Sequence, residues 1–388
     1  MARILEPRPE PEGLRSYAEP QPLAGSMPLL TRSSSPSNPA NISVLSPLRW
    51  LVTMGILVVA SLVGFLVCLQ FGAERISLSE AFSMILRLLQ EGRAILESSG
   101  PAATILLDVR LPRLALSFLV GGTLATVGVG LQALLRNPLA DPYVLGISSG
   151  AALGAAVAML LGVGTAVGGM SALSLAAFAG GLLAIVLVYR IAMGSGDLPM
   201  PTLLLAGVII TAICSALVMF ITSVLDPARA YTMISWLMGT LSAPDGVAFA
   251  VLIGVTALGG LALFHQARAL NVLTLGEEAA RSLGVEVERV KRTIFVISAL
   301  MTGAAVSVSG LIGFVGMVVP HAVRMVLGAD HRVVMPASAL IGGLFLMVAD
   351  TVARTALAPA EIPVGVVTAL VGGPFFVYLL VARRGVMR

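Results

Sequence analysis

Residues 202–224 read TLLLAGVIITAICSALVMFITSV, 23 consecutive residues without a charged side chain. A helix of about 20 apolar residues crosses the ~30 Å hydrocarbon core of a bilayer. Over the whole chain only 11% of the 388 residues are charged and 57% are hydrophobic, whereas a soluble domain has roughly 25% charged residues. The net charge of +4 is too small for a nucleic-acid surface. The composition excludes a soluble enzyme and a disordered scaffold, and it predicts a polytopic membrane protein.

Apolar runs of similar character recur from Trp50 to the C-terminus. They predict an all-α polytopic membrane protein with about ten transmembrane helices, near 50–70, 111–135, 144–166, 170–193, 202–224, 244–264, 294–311, 312–328, 335–353 and 362–382. The runs 294–311 and 312–328 are separated only by glycines, at Gly310 and Gly313. A shorter amphipathic stretch, 229–241, is too short to span a bilayer and is predicted to be a re-entrant or interfacial helix.

The N-terminal segment differs from the rest of the chain. Residues 1–47 contain nine of the 22 prolines and eight serines, a composition that cannot bury enough apolar surface to fold. We expect a disordered cytoplasmic tail at 1–47 and a transmembrane domain at 48–388. With ten spans, 17 of the 24 basic residues fall on the side of the termini. This positive-inside bias predicts that both termini are cytoplasmic.

The one long polar loop on the cytoplasmic side covers residues 267–292. Thr274 to Glu277 match the S/T-x-x-E capping box, helix-forming residues follow, and Gly284 is placed where a glycine ends a helix. The pattern predicts a short capped helix, then a second helical turn at 287–290. A partner could dock on this helix, or the segment could be an ordinary connector.

Other polar and small residues within the apolar runs favour structural roles. Gly146, Gly150 and Gly154 recur at four-residue spacing, which favours close helix packing, although a few such glycines could line a cavity. Cys68 and Cys214 lie in apolar runs and are expected to pack as small hydrophobic residues. The three histidines lack zinc-site spacing, and His321 beside Pro320 is expected to be structural. The chain also lacks the glycine-rich P-loop motif that binds ATP.

Several blocks, in the right order, together resemble the FecCD permeases, the membrane subunits of type II ATP-binding cassette (ABC) importers for ferric siderophores, haem and vitamin B12. The similarity runs from about residue 48 to the C-terminus. The blocks are RLPR at 110–113, GVGLQ at 128–132, NPLADP at 137–142, GISSGA at 146–151, LGEEAARSLG at 275–284, GFVGMVVPH at 313–321 and EIPVGVVT at 361–368.

The resemblance implies a homodimeric permease in the bacterial inner membrane. Its expected partners are a second copy of the chain, two ATPase subunits that bind ATP and Mg²⁺, and an extracytoplasmic substrate-binding protein. No cofactor on this chain and no nucleic-acid partner are expected. The cargo would be a metal chelate, for which a ferric siderophore is favoured and haem and cobalamin are alternatives. ATP hydrolysis on the partner chains would drive its transport into the cytoplasm.

The resemblance also assigns roles to individual residues. ATPase coupling falls on Thr274, Gly276, Glu277, Glu278, Arg281 and Gly284. Docking of the binding protein falls on Arg110, Arg113 and Arg354, for which two local alternatives exist: an i,i+4 pair between Asp350 and Arg354, and snorkelling of Arg110 and Arg113 to lipid headgroups. The pathway or gate residues would be Gly146, Ser148 and Trp236, with packing as an equal alternative for Trp236.

Two other classes of function compete with the importer. An ion-coupled secondary transporter needs carboxylates or histidines within its spans, and these spans have almost none. A membrane-embedded enzyme would need a nucleophile, a metal cluster or an acid–base pair, and the sequence offers no catalytic or metal site of this kind.

Overall fold

A computed structural model describes residues 46–72, 77–91, 103–163, 166–167, 170–193, 198–242 and 245–384. The predicted tail lies almost wholly outside these residues, so its disorder stays a prediction. The chain divides into two units after Ser46, and all of the helices described below belong to the second unit.

The described residues of this second unit are almost entirely helical. They form α1 Pro47–Gln70, α2 Leu78–Glu91, α3 Leu111–Leu134, α4 Ile147–Leu160, α5 Ala172–Ala192, α6 Met200–Val224, α7 Pro227–Leu237, α8 Gly246–His265, α9 Ala267–Leu273, α10 Glu277–Ser282, α11 Val287–Ser309, α12 Val315–Leu327, α13 His331–Thr355 and α14 Val364–Arg384. A π-helical segment, Ile105–Arg110, leads into α3, and a 3₁₀ turn, Pro142–Leu145, precedes α4. Two paired strands of two residues each, β1 Ala166–Val167 and β2 Met170–Ser171, precede α5.

Seven of these helical stretches are long and apolar enough to cross a bilayer: α1, the stretch Ile105–Leu134, α5, α6, α8, α11 and α13. Three shorter apolar helices, α4, α12 and most of α14, coincide with the remaining predicted runs. The predicted polytopic all-α fold is confirmed. The short helix predicted at 229–241 is present as α7, whereas α2 was not predicted.

Helix α3 lies at the centre of the bundle and is buried along most of its length. Glycines allow its backbone to approach its neighbours closely. A Cβ atom on Gly128 would overlap the carbonyl oxygen of Gly316 in α12, and one on Gly121 would overlap that of Gly342 in α13. In a membrane, where apolar side chains gain nothing by leaving lipid, such contacts hold helices together through van der Waals packing.

The close helix packing predicted for Gly146, Gly150 and Gly154 is confirmed at two of these three glycines. Gly150 and Gly154 of α4 lie against the backbone of α5 at Gly180 and Ala176. Gly146 has a different role, because it precedes α4 with φ +81°, a conformation that side-chain-bearing residues rarely adopt.

The break between α11 and α12 is a short non-helical segment at 310–314. Gly310 ends α11 with φ +65° and packs on the carbonyl of Trp236. The amide of Thr240 donates to the carbonyl of Ser309. Protein therefore covers the start of this segment, and non-helical backbone at membrane depth requires such cover.

Replacement of Gly128 by alanine tests the central contact. We expect Gly128→Ala to lower the thermal unfolding temperature of the detergent-purified protein by several degrees, because the new methyl group must push α12 away from α3. Gly260→Ala in α8 is the matched control, since a Cβ there meets no atom within 4 Å and alanine is the better helix former. Equal unfolding temperatures for the two variants would contradict the packing assignment.

Candidate functional sites at the two ends of the bundle

Arg110, one of the three arginines assigned to docking, is buried at the junction of α1 and α3. It ends the π-helical segment, and its Nη1 donates to the carbonyl oxygen of Leu69 at 2.8 Å. A Cβ atom on Gly72 would overlap the same guanidinium. Arg110 therefore fastens the end of α1 to the start of α3.

Arg113 and Arg354 both bind one carboxylate, that of Asp350. Arg113 donates from Nε and Nη2 to Asp350 at 3.0–3.2 Å, and Arg354 donates from Nε to Asp350 Oδ2 at 3.1 Å. Asp350 is fully buried, and Arg113 is 14% exposed. The remaining nitrogen of the Arg113 guanidinium, Nη1, donates to Glu361 at 3.0 Å, and Glu361 is 55% exposed.

This ion cluster, Arg113–Asp350–Arg354–Glu361, joins α3, α13 and the segment before α14. The i,i+4 pair between Asp350 and Arg354 is present as the local alternative proposed it. Arg113 hydrogen-bonds to protein carboxylates instead of being free to reach headgroups. The docking role of these arginines stays a prediction, and the outermost charge in the cluster is that of Glu361.

The capped helix predicted in the loop 267–292 is present as α10, but its N-terminal cap differs from the prediction. Gly276, with φ +119°, is the N-cap, and no side-chain hydrogen bond caps the helix. Thr274 instead donates from its hydroxyl to the carbonyl of Asn271 at the end of α9. The capping-box prediction is therefore wrong, because α9 extends to Leu273 and Thr274 belongs to its last turn.

The C-terminal cap of α10 is as predicted. Gly284 has φ +82°, its amide donates to the carbonyl of Arg281, and the amide of Val285 donates to the carbonyl of Ala280. These two bonds define a Schellman motif, which needs a residue in the left-handed region at the position of Gly284.

Lys291 holds α10 against α11, a contact that was not predicted from the sequence. Lys291 is nearly buried, and its Nζ donates to Glu277 at 2.8 Å and to Glu288 at 3.0 Å. Arg281 lies 3.7 Å from the same two carboxylates. Glu278 is exposed. The signal available in the sequence was the spacing of Glu288 and Lys291, which lie on one face of a helix.

A second junction, between α9 and α13, centres on Asn271. The Asn271 amide donates to Asp330 at 2.7 Å, and its oxygen faces both the backbone amide and the Nδ1 atom of His331. Hydrogen bonds from Arg332, and then from Asn271, hold the pKa of Asp330 at about 2. Asp330 is therefore a fixed negative charge at the start of α13.

The two candidate sites lie at opposite ends of α13. Asp330 caps its first turn and contacts the loop 267–292, whereas Asp350 and Arg354 lie in its last two turns. Its 25 residues, at 1.5 Å each, separate the two ends by about 37 Å, roughly the thickness of a membrane.

The three candidate pathway residues pack against other helices of the bundle. Trp236 of α7 is buried in an apolar cluster with Ala155, Val218 and Val306. Gly146 contacts Gly207 and Ile210 of α6, and Ser148 is buried in the first turn of α4. His321 packs against Phe375 and Phe376, with ring centroids 6.3 and 6.1 Å away.

Two further expectations concern metal ligands. Cys68 and Cys214 are free and buried, as expected. Among the described residues, no group of three or more His, Cys, Asp or Glu side chains could hold a metal ion.

The chain resembles known proteins along most of its length. The model of the FecCD transport family matches residues 57–382. A cobalamin import system permease protein of Halobacterium salinarum is 47% identical over 284 residues, 73% of this chain and 75% of the relative. A hemin transport system permease protein of Yersinia pestis is 44% identical, covering 72% and 84%. A probable iron chelatin transport system permease protein of Helicobacter pylori is 37% identical, covering 82% and 95%.

A solved structure shows the same fold. It is described as an inward-facing conformation of a metal-chelate type ABC transporter, and it matches this chain with a TM-score of 0.71 at 28% sequence identity. The match covers 85% of this chain and 99% of the other.

The shared carboxylate makes a prediction about stability. Asp350→Asn keeps the shape of the side chain but leaves two nearly buried guanidinium groups without their common counter-charge, so we expect a loss of about 3–5 kcal/mol. Glu361→Gln also removes one carboxylate from Arg113, but at an exposed position, and should cost about 1 kcal/mol or less. Thermal unfolding of the purified variants measures both. A larger shift for Glu361→Gln than for Asp350→Asn would contradict the burial argument.

Proposed function

The chain belongs to the FecCD transport family, and we propose that it is the permease through which a ferric siderophore enters the cytoplasm. It is a component of an ABC importer for metal chelates such as vitamin B12, haem or iron chelates, and not itself an enzyme. Two of the three relatives described above are named for iron-containing cargo, hemin and an iron chelatin. An iron chelate is therefore the first candidate, with cobalamin as the principal alternative outcome of the test.

The observation that carries this proposal is the family match along nearly the whole membrane domain. The state of the buried carboxylate adds to it. Asp350 is paired with both Arg113 and Arg354, so it is not free to carry a coupling ion. An ion-coupled transporter depends on such a carrier within its spans. The ATP-driven mechanism needs none on this chain.

The proposed assembly contains a second copy of this chain, two ATPase subunits with their ATP and Mg²⁺, and an extracytoplasmic binding protein. The chain is a multi-pass membrane protein. We place it in the bacterial inner membrane with both termini in the cytoplasm, on the distribution of its basic residues. No cofactor on this chain and no nucleic-acid partner are required.

The ATPase contact is proposed at α10 and its caps, with Thr274, Gly276, Glu277, Glu278, Arg281 and Gly284. Two leucines at the ends of this helix support the proposal, because Leu275 is 69% exposed and Leu283 is 65% exposed in an otherwise polar loop. Exposed apolar side chains on a fixed helix are typical anchors of a protein interface. The bonds from Lys291 keep α10 fixed on α11, so that a displacement of α10 is transmitted to the membrane domain.

The binding protein is proposed to dock at the opposite end, on the surface that contains Arg113 and Arg354. Arg113 Nη1 already donates to Glu361, so a carboxylate of the binding protein would compete with Glu361 for this donor. Arg110 is buried, and its proposed contribution is to position the start of α3 beneath that surface. Gly146, Ser148 and Trp236 are proposed to lie along the pathway, at the interface with the second copy.

Reconstitution tests the transport function. Proteoliposomes that contain the permease, its ATPase and its binding protein should accumulate a ferric siderophore when ATP is present, and vanadate should stop the uptake. Haemin and cyanocobalamin are tested in parallel. Uptake of haemin or cyanocobalamin without uptake of the ferric siderophore would reassign the cargo. ATP-independent uptake that an uncoupler abolishes would establish the secondary transporter instead.

Variants of α10 test the coupling assignment in the same vesicles. Leu275→Ser with Leu283→Ser should reduce co-purification of the ATPase and uptake by at least fivefold without lowering the unfolding temperature, because both side chains are exposed. Leu357→Ser, at an equally exposed leucine beyond the end of α13, should leave ATPase association unchanged. If the double variant retains full ATPase association, α10 is not the contact.

Competition at Arg113 gives a prediction about docking. Glu361→Gln should increase the affinity for the binding protein several-fold at low salt, because it removes the carboxylate that competes for Arg113 Nη1. This gain in affinity should shrink as salt rises. Arg113→Lys should weaken binding, since lysine cannot form two parallel bonds to a carboxylate. Glu286→Gln removes an exposed carboxylate of α10–α11 and is the control. Weaker docking of Glu361→Gln would contradict the role of Arg113.

A further inference from the structure

A pocket of about 290 Å³ lies between α4, α6 and α7, and hydroxyl groups dominate its polar lining. Tyr143, Ser148, Ser149, Thr211 and Ser215 contribute the hydroxyls, and the remaining lining residues are apolar. No charged side chain is among the described residues that line it. The pocket is therefore able to form hydrogen bonds but has no fixed charge.

The hydroxyl of Ser148 has no hydrogen-bonding partner among the described residues, although the residue is only 1% exposed. Buried hydroxyls elsewhere in the bundle donate to the carbonyl four residues earlier, as Thr126 does to Gly122 and Thr351 does to Met347. Ser148 lies in the first turn of α4, directly after its N-cap Gly146. An unmet buried hydroxyl costs about 1–3 kcal/mol, so its donor is available to a ligand.

The start of α4 supplies a second feature of the same pocket. Gly146 is the N-cap of this 14-residue helix, and no side chain caps its first amides. Uncapped N-terminal amides and the helix dipole favour an oxygen acceptor or an anion. Ser148 and Ser149, whose backbone amides are among these, both line the pocket.

Among the other hydroxyls, that of Ser149 already donates its hydrogen within the protein. Ser149 donates to the carbonyl of Gly146 at 3.0 Å and lies 3.4 Å from the hydroxyl of Thr211. The hydroxyl of Tyr143 lies against the backbone of Ile312. Other buried hydroxyls without a partner in the described part of the chain, such as Ser298 and Ser338, are fully buried in helices α11 and α13 and are absent from this lining.

We propose that this hydroxyl pocket binds an oxygen acceptor of the metal chelate, such as a carboxylate, phenolate or hydroxamate oxygen, while the chelate passes through the permease. This inference rests on the proposed function for its cargo. It adds a place where the cargo is held. Because the pocket has hydroxyls and amides but no cation, binding is weak enough for the chelate to leave again.

Cysteine protection tests the pocket on the full-length permease. In a background with Cys68→Ala and Cys214→Ala, Ser215→Cys places a thiol at the exposed edge of the pocket. The probe is salicylate, which has carboxylate and phenolic oxygens, and benzyl alcohol is the neutral comparison. Millimolar salicylate should slow modification of Ser215→Cys by a water-soluble methanethiosulfonate at least threefold, and benzyl alcohol should not. Ser223→Cys, on the same helix but outside the pocket, should react at one rate throughout.

Ser148→Ala then identifies the donor. This variant should fold as well as the parent, because the lost hydroxyl has no partner among the described residues. It should raise the salicylate concentration needed for protection about tenfold (about 1.4 kcal/mol). Equal slowing of both cysteines by salicylate, no slowing, or no effect of Ser148→Ala would overturn the proposal.

The vesicle assay separates this inference from the transport function. If the wild-type complex imports a chelate but salicylate does not protect Ser215→Cys, the pocket inference is wrong and the function stands. If the complex imports no chelate but salicylate protects Ser215→Cys in a Ser148-dependent way, the acceptor site exists and its assignment to chelate cargo is overturned together with the transport function.

Discussion

Close backbone contact at paired glycines is the constraint on which the rest of this structure depends. In a bilayer, helices gain little from burying apolar side chains, and they associate where small residues let their backbones meet. Gly128 with Gly316 and Gly121 with Gly342 bring α3 against both α12 and α13. These contacts fix three helices into one central unit.

The central unit is fastened at both of its ends. At one end Arg113 of α3 binds Asp350 of α13. At the other end Arg136, just beyond α3, donates to the carbonyl of Leu273 in α9, and Asn271 of α9 donates to Asp330 before α13. Because packed helices move as rigid bodies, these bonds are the contacts through which a displacement of α9 would pass to the opposite face of the membrane.

The sequence was sufficient to predict the spans, since length and apolarity alone decide which helices cross a bilayer. It also predicted the glycine that ends α10, because a left-handed cap has a local signature. It failed where a contact joins distant segments. Arg113 and Asp350 are 237 positions apart, so their pairing could not be found by spacing, and Arg113 was considered only for partners outside the chain. The capping-box prediction at Thr274 failed for the opposite reason, because a local motif matched although that residue is the C-cap of the preceding helix.

The distribution of charge determines what kind of transport this chain can support. Ion pairs lie at both ends of α13, whereas the hydroxyl pocket has hydroxyl and amide donors only. A cargo that meets no fixed charge there is not trapped by it, and passage requires binding that is weak enough to reverse. Weak and reversible binding cannot by itself give direction. We therefore propose that direction comes from outside the spans, through a change of shape imposed at α9 and α10. This requirement matches a permease whose energy source is a separate ATPase.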